Sequence, residues 1–268
     1  MRTFLRWTLR VVLALAVVVA IAAFVFRKEI AQYRAAFEYA GIFEPDVIDE
    51  NFRSLFRKYA SVKVERSATP SDLPKREQAL PESYQFNGET RSVADWIAAT
   101  QTTGLIVLKD GAVVHEEYAR GNTADTQSIS MSLSKSMVSF LLGTVVADGL
   151  VSLEDPVDKH APLLAEGGYK GVRVKDVAQM SSGIGFNEDY GDLTSDIVRY
   201  IIQILTGSVN DFTAHLQNEN PPGTINRYVS ADTQVLGMVI EGRRRSPWRI
   251  ISTSVFGRSS AHRPMPTG

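Results

Sequence analysis

The chain has 268 residues, 44% of them hydrophobic and 22% charged, with a formal net charge of −1. That is the composition of one globular domain of ordinary size with appendages, and its charge balance selects no nucleic-acid or acidic partner. Lacking cysteine altogether, it can have no disulfide framework, thiolate zinc site or thiol nucleophile.

Residues 11–26 carry no charge; Arg2, Arg6 and Arg10 precede them, and Arg27 and Lys28 follow. The pattern predicts a transmembrane helix over 11–26, extended at the interface by Trp7 and Leu9. The basic asymmetry places a cytoplasmic segment at 1–10 and the remainder outside, as a single-pass protein of the cell (inner) membrane with a periplasmic domain. A cleavable signal peptide competes, because Ala20-Ile21-Ala22 offers small residues to a peptidase; the apolar run continues past them to Phe26, which favours an uncleaved anchor.

Residues 27–83 read as juxtamembrane helices and a linker. Ile48, Phe52, Leu55, Phe56 and Tyr59 make an amphipathic stripe that packs on its own domain. Pro70, Pro74 and Pro81 mark a linker or an extended wrap. A domain then starts near Tyr84. Ser92 caps a short helix with Val93, Trp96 and Ile97 inward. Strands over 103–108 and 112–118 flank Asp110-Gly111, a dipeptide that tolerates the positive φ of a tight hairpin. His115 in the second strand is structural, with no partner spaced for a metal site.

Residues 130–143, Ser-Met-Ser-Leu-Ser-Lys-Ser-Met-Val-Ser-Phe-Leu-Leu-Gly, read as the first turns of a buried helix. Leu133, Met137, Val138, Leu141, Leu142, Val145 and Val146 recur at near-helical spacing, and Gly149 is a C-terminal stop. Ser132 and Lys135, three residues apart, then share a helix face. A serine hydroxyl is a poor nucleophile until a base takes its proton, and a lysine amine one turn away can do so. Burial and the positive end of the helix dipole both disfavour an ammonium there. The spacing occurs by chance about once in a chain of this size, so on its own it is equally compatible with a structural helix.

Beyond this helix, Leu153-Glu154-Asp155-Pro156-Val157 turns the chain; then come Val172-Arg173-Val174 and a short helical stretch to Met180. Ser181-Ser182-Gly183 follows, then amphipathic helices over 195–206 and 211–218. Pro221-Pro222-Gly223 breaks the pattern ahead of Tyr228-Val229-Ser230. Read alone, Tyr228 is better explained by a core tyrosine, hydrogen-bonded for stability, than by a reactive one.

Taken in order, the hairpin, Ser132-x-x-Lys135, the 153–157 turn, Ser181-Ser182-Gly183 and the Tyr228-x-Ser230 string resemble the serine beta-lactamase and penicillin-binding protein family. The similarity is to its class C-like esterase and 6-aminohexanoate-dimer hydrolase branch, over roughly residues 84–242. The resemblance implies an α/β (α+β) fold with a helical lobe beside an antiparallel sheet. It implies Ser132 as acylated nucleophile, Lys135 as its base, Tyr228 as proton relay to the leaving group, and Ser230 in support. Ser182-Gly183 is implied as scaffold. The expected activity is hydrolysis of a small-molecule ester or amide through an acyl-enzyme, with no metal or organic cofactor. Ser230 stands where many members have Asn, which favours small esters or linear amides over beta-lactams. A beta-lactamase or D-Ala-D-Ala peptidase is the alternative within the family; a non-catalytic membrane-anchored remnant or binding protein is the alternative outside it.

Residues 243–268 hold six arginines and no Lys, Asp or Glu, and read as a tail foreign to the family. The family's third motif, Lys/His-x-Gly, does not follow Tyr228. The expectation is a truncated domain, through a coding frame lost near Gly242, lacking C-terminal sheet strands and one oxyanion-hole amide. Loss of one such donor costs about 10²- to 10³-fold in rate, so the expected hydrolase is impaired.

Overall fold

The computed structural model describes residues 2–58, 63–64 and 72–244. Tyr59 of the expected stripe, Pro70 of the expected linker and the Arg-rich segment from residue 245 onward lie outside the described residues. The chain divides into two compact units, Met1–Gly41 with Lys135–Arg245 and Ile42–Ser134 with Ser246–Gly268.

In the first unit, α1 (Arg2–Val25) turns by 69° at Phe26 into α2 (Arg27–Gly41). Among the described residues no single helix is long and apolar enough to cross a membrane; only the bent pair 10–25 and 27–41 passes by length and composition. The single transmembrane helix expected over 11–26 therefore finds no support in such a helix: α1 ends at Val25 and the chain bends at Phe26. The apolar side chains from Val11 to Phe26 are nevertheless exposed almost throughout. α2 is more polar, buries Ala35 and packs against α7 (Asp196–Thr206).

α5 (Leu133–Ala147) begins where the sequence places it, but its burial differs from expectation. Leu141, Leu142 and Val145 are buried, whereas Leu133, Met137 and Phe140 are exposed. The helix is apolar on every side, so periodicity gives no face, and one side alone is covered here. Past α5 the chain is knitted by short backbone pairings. Val157 N–H donates to Val172 O (2.8 Å), Val174 N–H to Asp155 O (2.9 Å) and Lys175 N–H to Leu153 O (2.9 Å). Asp155 accepts from Ser152 N–H (3.0 Å) and lies 2.9 Å from Nε2 of buried His160.

α6 (Val174–Ala178) ends in a Schellman motif: Met180 N–H donates to Val177 O, and Ser181 N–H to Asp176 O. Met180 takes the left-handed position, φ +53°, that glycine usually fills. α7 and α8 (Val209–Ala214) are capped by Ser195 and Ser208, which accept from Val198 and Asp211 N–H. α8 lies earlier than the helix expected over 211–218, because the chain is already extended at Asn218, which bridges to Ile184. α9 (Ser230–Arg244) carries the densest part of the core, with Ala231, Val235, Leu236, Met238, Val239 and Ile240 buried. Each large side chain among them contributes roughly 1.5–3 kcal/mol on burial.

The second unit holds α3 (Ile48–Lys58), α4 (Val93–Ala99) and two hairpins. Phe52 of α3 meets the Phe43 ring edge-on, and its carbonyl accepts from Ile129 N–H, so this residue of the expected stripe packs within its own unit. β3 (Gly104–Lys109) pairs antiparallel with β4 (Ala112–Tyr118) through Asp110 and Gly111, both at positive φ (+49° and +72°). β1 (Ser83–Phe86) and β2 (Glu89–Ser92) form a second hairpin on Asn87-Gly88 by the same turn chemistry. Ser92 caps α4 by accepting from Asp95 N–H, as expected, but Trp96 is exposed instead of inward. Residues 74–78 form the extended wrap: Val113 N–H donates to Pro74 O, while Arg76 and Gln78 N–H donate to Val113 and Val114 O. That strap covers the outer edge of β4. Among the described residues the outer edge of β3 pairs with no strand, and Ile106 and Leu108 are exposed.

Candidate active site

Ser132 is exposed and immediately precedes Leu133, the first residue of α5. The turn that presents it is tight: Leu133 N–H donates to Ser130 O, and Ser134 donates to Met131 O from both its amide (3.1 Å) and its hydroxyl (2.7 Å). Met131 sits at φ +45°. A non-glycine residue held there costs about 1–3 kcal/mol and marks a position fixed by more than local preference. That strain is not legible from sequence, because methionine carries no preference for the left-handed region.

Lys135 lies in the first turn of α5, half-buried and not fully enclosed as expected. Its Nζ is 5.2 Å from the centroid of the Tyr228 ring, within cation–π range. The fold therefore brings together two of the residues singled out by the sequence from elements far apart in the chain.

Tyr228 stands between two fixed points. On its N-terminal side, Arg227 N–H donates to Met180 O (2.8 Å), and the Arg227 guanidinium donates to Ile184 O (2.8 Å) and Glu219 Oε2 (3.1 Å). The Ser181-Ser182-Gly183 turn holds the approach to it. Gly183 O accepts from Glu219 and Asn220 N–H, and Ser181 O accepts from Gly223 N–H. Gly183 is required here: its φ is +79°, and a Cβ would stand 2.1 Å from Asn220 O. This is the scaffold role implied for the turn.

On the C-terminal side, Ser230 is buried at the start of α9, and its N–H donates to Glu188 Oε1 at 2.5 Å. Glu188 is a site neighbour the sequence did not reveal. Tyr190 is another: its phenol is pushed up first by burial and then by the Glu188 charge, with the Tyr228 phenol adding to the effect. Tyr200 is pushed up to about 12, again by burial first and Glu188 second. One turn into α9, Asp232 is fully buried and accepts from Tyr169 Oη at 2.8 Å. Burial pushes its carboxyl up to about 7, against hydrogen bonds from Ser182 and Tyr169 that lower it. Among the described residues no group of three or more His, Cys, Asp or Glu side chains is arranged to hold a metal ion. His115 Nε2 lies 3.3 Å from Glu117 Oε2 on the same face of β4.

The Beta-lactamase family model matches residues 88–257 of this chain. A 6-aminohexanoate-dimer hydrolase of Paenarthrobacter ureafaciens is 29% identical over 150 residues, which is 53% of this chain and 38% of that protein. In three dimensions the chain is similar to a putative 6-aminohexanoate-dimer hydrolase from Bacillus anthracis, with a TM-score of 0.70 at 14% identity. That match covers 81% of this chain and 60% of the other. The chain thus spans less than two thirds of the length of either relative, 38% of the first and 60% of the second.

Proposed function

The chain belongs to the beta-lactamase family, and on that premise we propose that it is a serine hydrolase cleaving a small ester or linear amide through an acyl-enzyme. The observation that carries the reading is the approach of Lys135 Nζ to the Tyr228 ring, 5.2 Å from its centroid, three residues along the chain from Ser132. In this scheme Ser132 Oγ attacks the substrate carbonyl carbon as its proton passes to the Lys135 amine. The oxyanion takes a hydrogen bond from a backbone amide at the start of α5. When the carbon–heteroatom bond breaks, the proton reaches the leaving group through Lys135 and the Tyr228 phenol. Water then attacks the acyl carbon and gives its proton to the same path; the bond from that carbon to Ser132 Oγ breaks, Oγ takes the proton back, and the carboxylic acid leaves. Ser230 supports Tyr228 from the first turn of α9.

The reading includes a membrane anchor at the N-terminus, supported by the uncharged, exposed run over 11–26 and its basic flanks. The domain then works on the extracytoplasmic side.

A fluorophosphonate probe tests the chemistry. It is expected to label the full chain at Ser132, to fail on Ser132→Ala, and to label Lys135→Met far more slowly. Equal labelling of Ser132→Ala, or hydrolysis of p-nitrophenyl butyrate unaffected by that substitution, overturns the proposal. Alkaline-carbonate extraction of membranes tests the anchor: the chain is expected in the pellet, and recovery in the soluble fraction removes that part.

A further inference from the structure

Glu188 lies in a loop that its neighbours hold rigid. Asn187 N–H donates to Asp196 Oδ2 (3.0 Å) and Ile197 N–H to Asn187 O (3.0 Å), tying the loop to the start of α7. Asp189 and Gly191 N–H donate to the side chains of Asn187 and Asp189, and Asp192 accepts from both the amide and hydroxyl of Thr194. Three successive side-chain turns of this kind leave the backbone at 188 little freedom. From it the Glu188 carboxylate reaches inward, with Oε2 buried and Oε1 on the Ser230 amide, forty-two residues away in sequence.

The first amides of a helix have no partner within it, and a carboxylate there gains both a charge-assisted hydrogen bond and a favourable dipole interaction. The same contact fixes the backbone two residues after Tyr228. The Arg227 amide fixes the residue before it, through Met180 O. Of these two clamps, the one at Arg227 is backbone to backbone and independent of side-chain identity. The one at Ser230 depends on a single carboxylate.

We infer that Glu188 is a positioning residue for Tyr228, acting through the Ser230 amide to hold the phenol in register with Lys135. The inference rests on the reading of Tyr228 as proton relay. Displacement of a reacting group by about 1 Å is enough to cost on the order of 100-fold in turnover. Glu188 touches no reacting atom in this scheme, so its loss acts on turnover and not on substrate affinity.

Three variants test this: Glu188→Ala, Glu188→Gln and Glu188→Asp. Gln keeps an acceptor oxygen at the same reach without the charge; Ala removes it; Asp falls one methylene short. Hydrolysis of p-nitrophenyl butyrate by the full chain is expected to lose roughly tenfold to hundredfold in kcat for Ala, with KM within about twofold, and to recover most of that loss in Gln. Asp is expected to fall between Ala and Gln. A Gln variant as impaired as Ala, or an Ala variant with unchanged kcat, overturns the inference while the hydrolase reading stands. A second readout needs no turnover. The Ser230 amide proton, followed by NMR in selectively labelled protein, is expected downfield in the wild type, to stay protected from exchange in Gln, and to lose both features in Ala. An unshifted Ser230 amide in Ala overturns the inference even where no substrate is cleaved. Absence of turnover in the wild type, with the amide behaving as expected, instead counts against the hydrolase reading.

Discussion

Tyr169 donates its phenolic hydrogen to Oδ1 of Asp232 at 2.8 Å, and both side chains are fully buried beneath the first turn of α9. Burial pushes the Asp232 carboxyl from 3.8 up to about 7 and pushes the Tyr169 phenol well above its ordinary range, the Asp232 charge adding to the second effect. The folded chain therefore binds a proton at Asp232 more tightly than the unfolded chain does. The stabilisation is full below pH 3.8 and is lost as pH rises through about 7. Thermal unfolding is expected to show a Tm that falls between about pH 4 and pH 7 and levels off above, with a loss of roughly 4 kcal/mol over that interval as the upper bound. Asp232→Asn, which stays neutral, is expected to flatten that slope. A wild-type Tm that rises across the same interval contradicts the assignment.

Removal of the Tyr228 hydroxyl bears on the relay alone. Tyr228→Phe keeps the ring over Lys135 and deletes the oxygen that would carry the proton. A fall of about 10²- to 10⁴-fold in kcat, with modest change in KM, is expected. Stopped-flow hydrolysis of an activated ester set against an unactivated one sharpens the test, since a good leaving group needs less protonation and is expected to lose less.

Gly183 offers a steric prediction. An added Cβ would stand 2.1 Å from Asn220 O at a backbone φ of +79°, so Gly183→Ala is expected to cost roughly 2–4 kcal/mol in urea unfolding. The loop leading to Tyr228 hangs from the carbonyl of this residue, so turnover is expected to drop with stability. A change below about 0.5 kcal/mol, within the range of ordinary surface substitutions, would mean the turn can adjust.

Asp155 predicts the opposite pH behaviour to Asp232. Its carboxyl is held well below the usual range, first by Lys159, then by the Ser152 amide, with His160 adding to them. A depressed group stabilises above its ordinary titration and loses that contribution on acidification through its folded value. Asp155→Ala is expected to be less stable at pH 7 and to lose less than the wild type as pH falls below 3.8, as read by circular dichroism. Parallel acid transitions for the two proteins would remove Asp155 from the account.

Local chemistry made some elements legible and left others hidden. Asp110-Gly111 and Asn87-Gly88 make the same positive-φ turn, yet only the first sits between apolar strands that betray a hairpin. The strands around Asn87 are polar and exposed, so their pairing shows only in three dimensions. The start of α5 was readable from its apolar run, but a helix apolar all round gives no direction, and Leu133 and Met137 proved to face outward.

The candidate site follows the same rule. Lys135 and Tyr228 could be proposed from spacing and order of motifs, and the fold brings them to one place. Glu188 and Tyr190 could not, because a carboxylate and a phenol in a loop rich in Asn, Asp and Gly read as solvated. Their meaning comes from the Ser230 amide forty-two positions after Glu188, a contact with no local signal. The left-handed Met131 and Met180 were equally hidden, each imposed by hydrogen bonds that close around it.

The bend at Phe26 is a single residue long, and the helix beyond it is already docked on α7. That leaves no slack for a lobe to swivel on its stalk. With α1 seated in lipid as proposed, the α7 lobe would tumble at the slow rate of the bilayer itself.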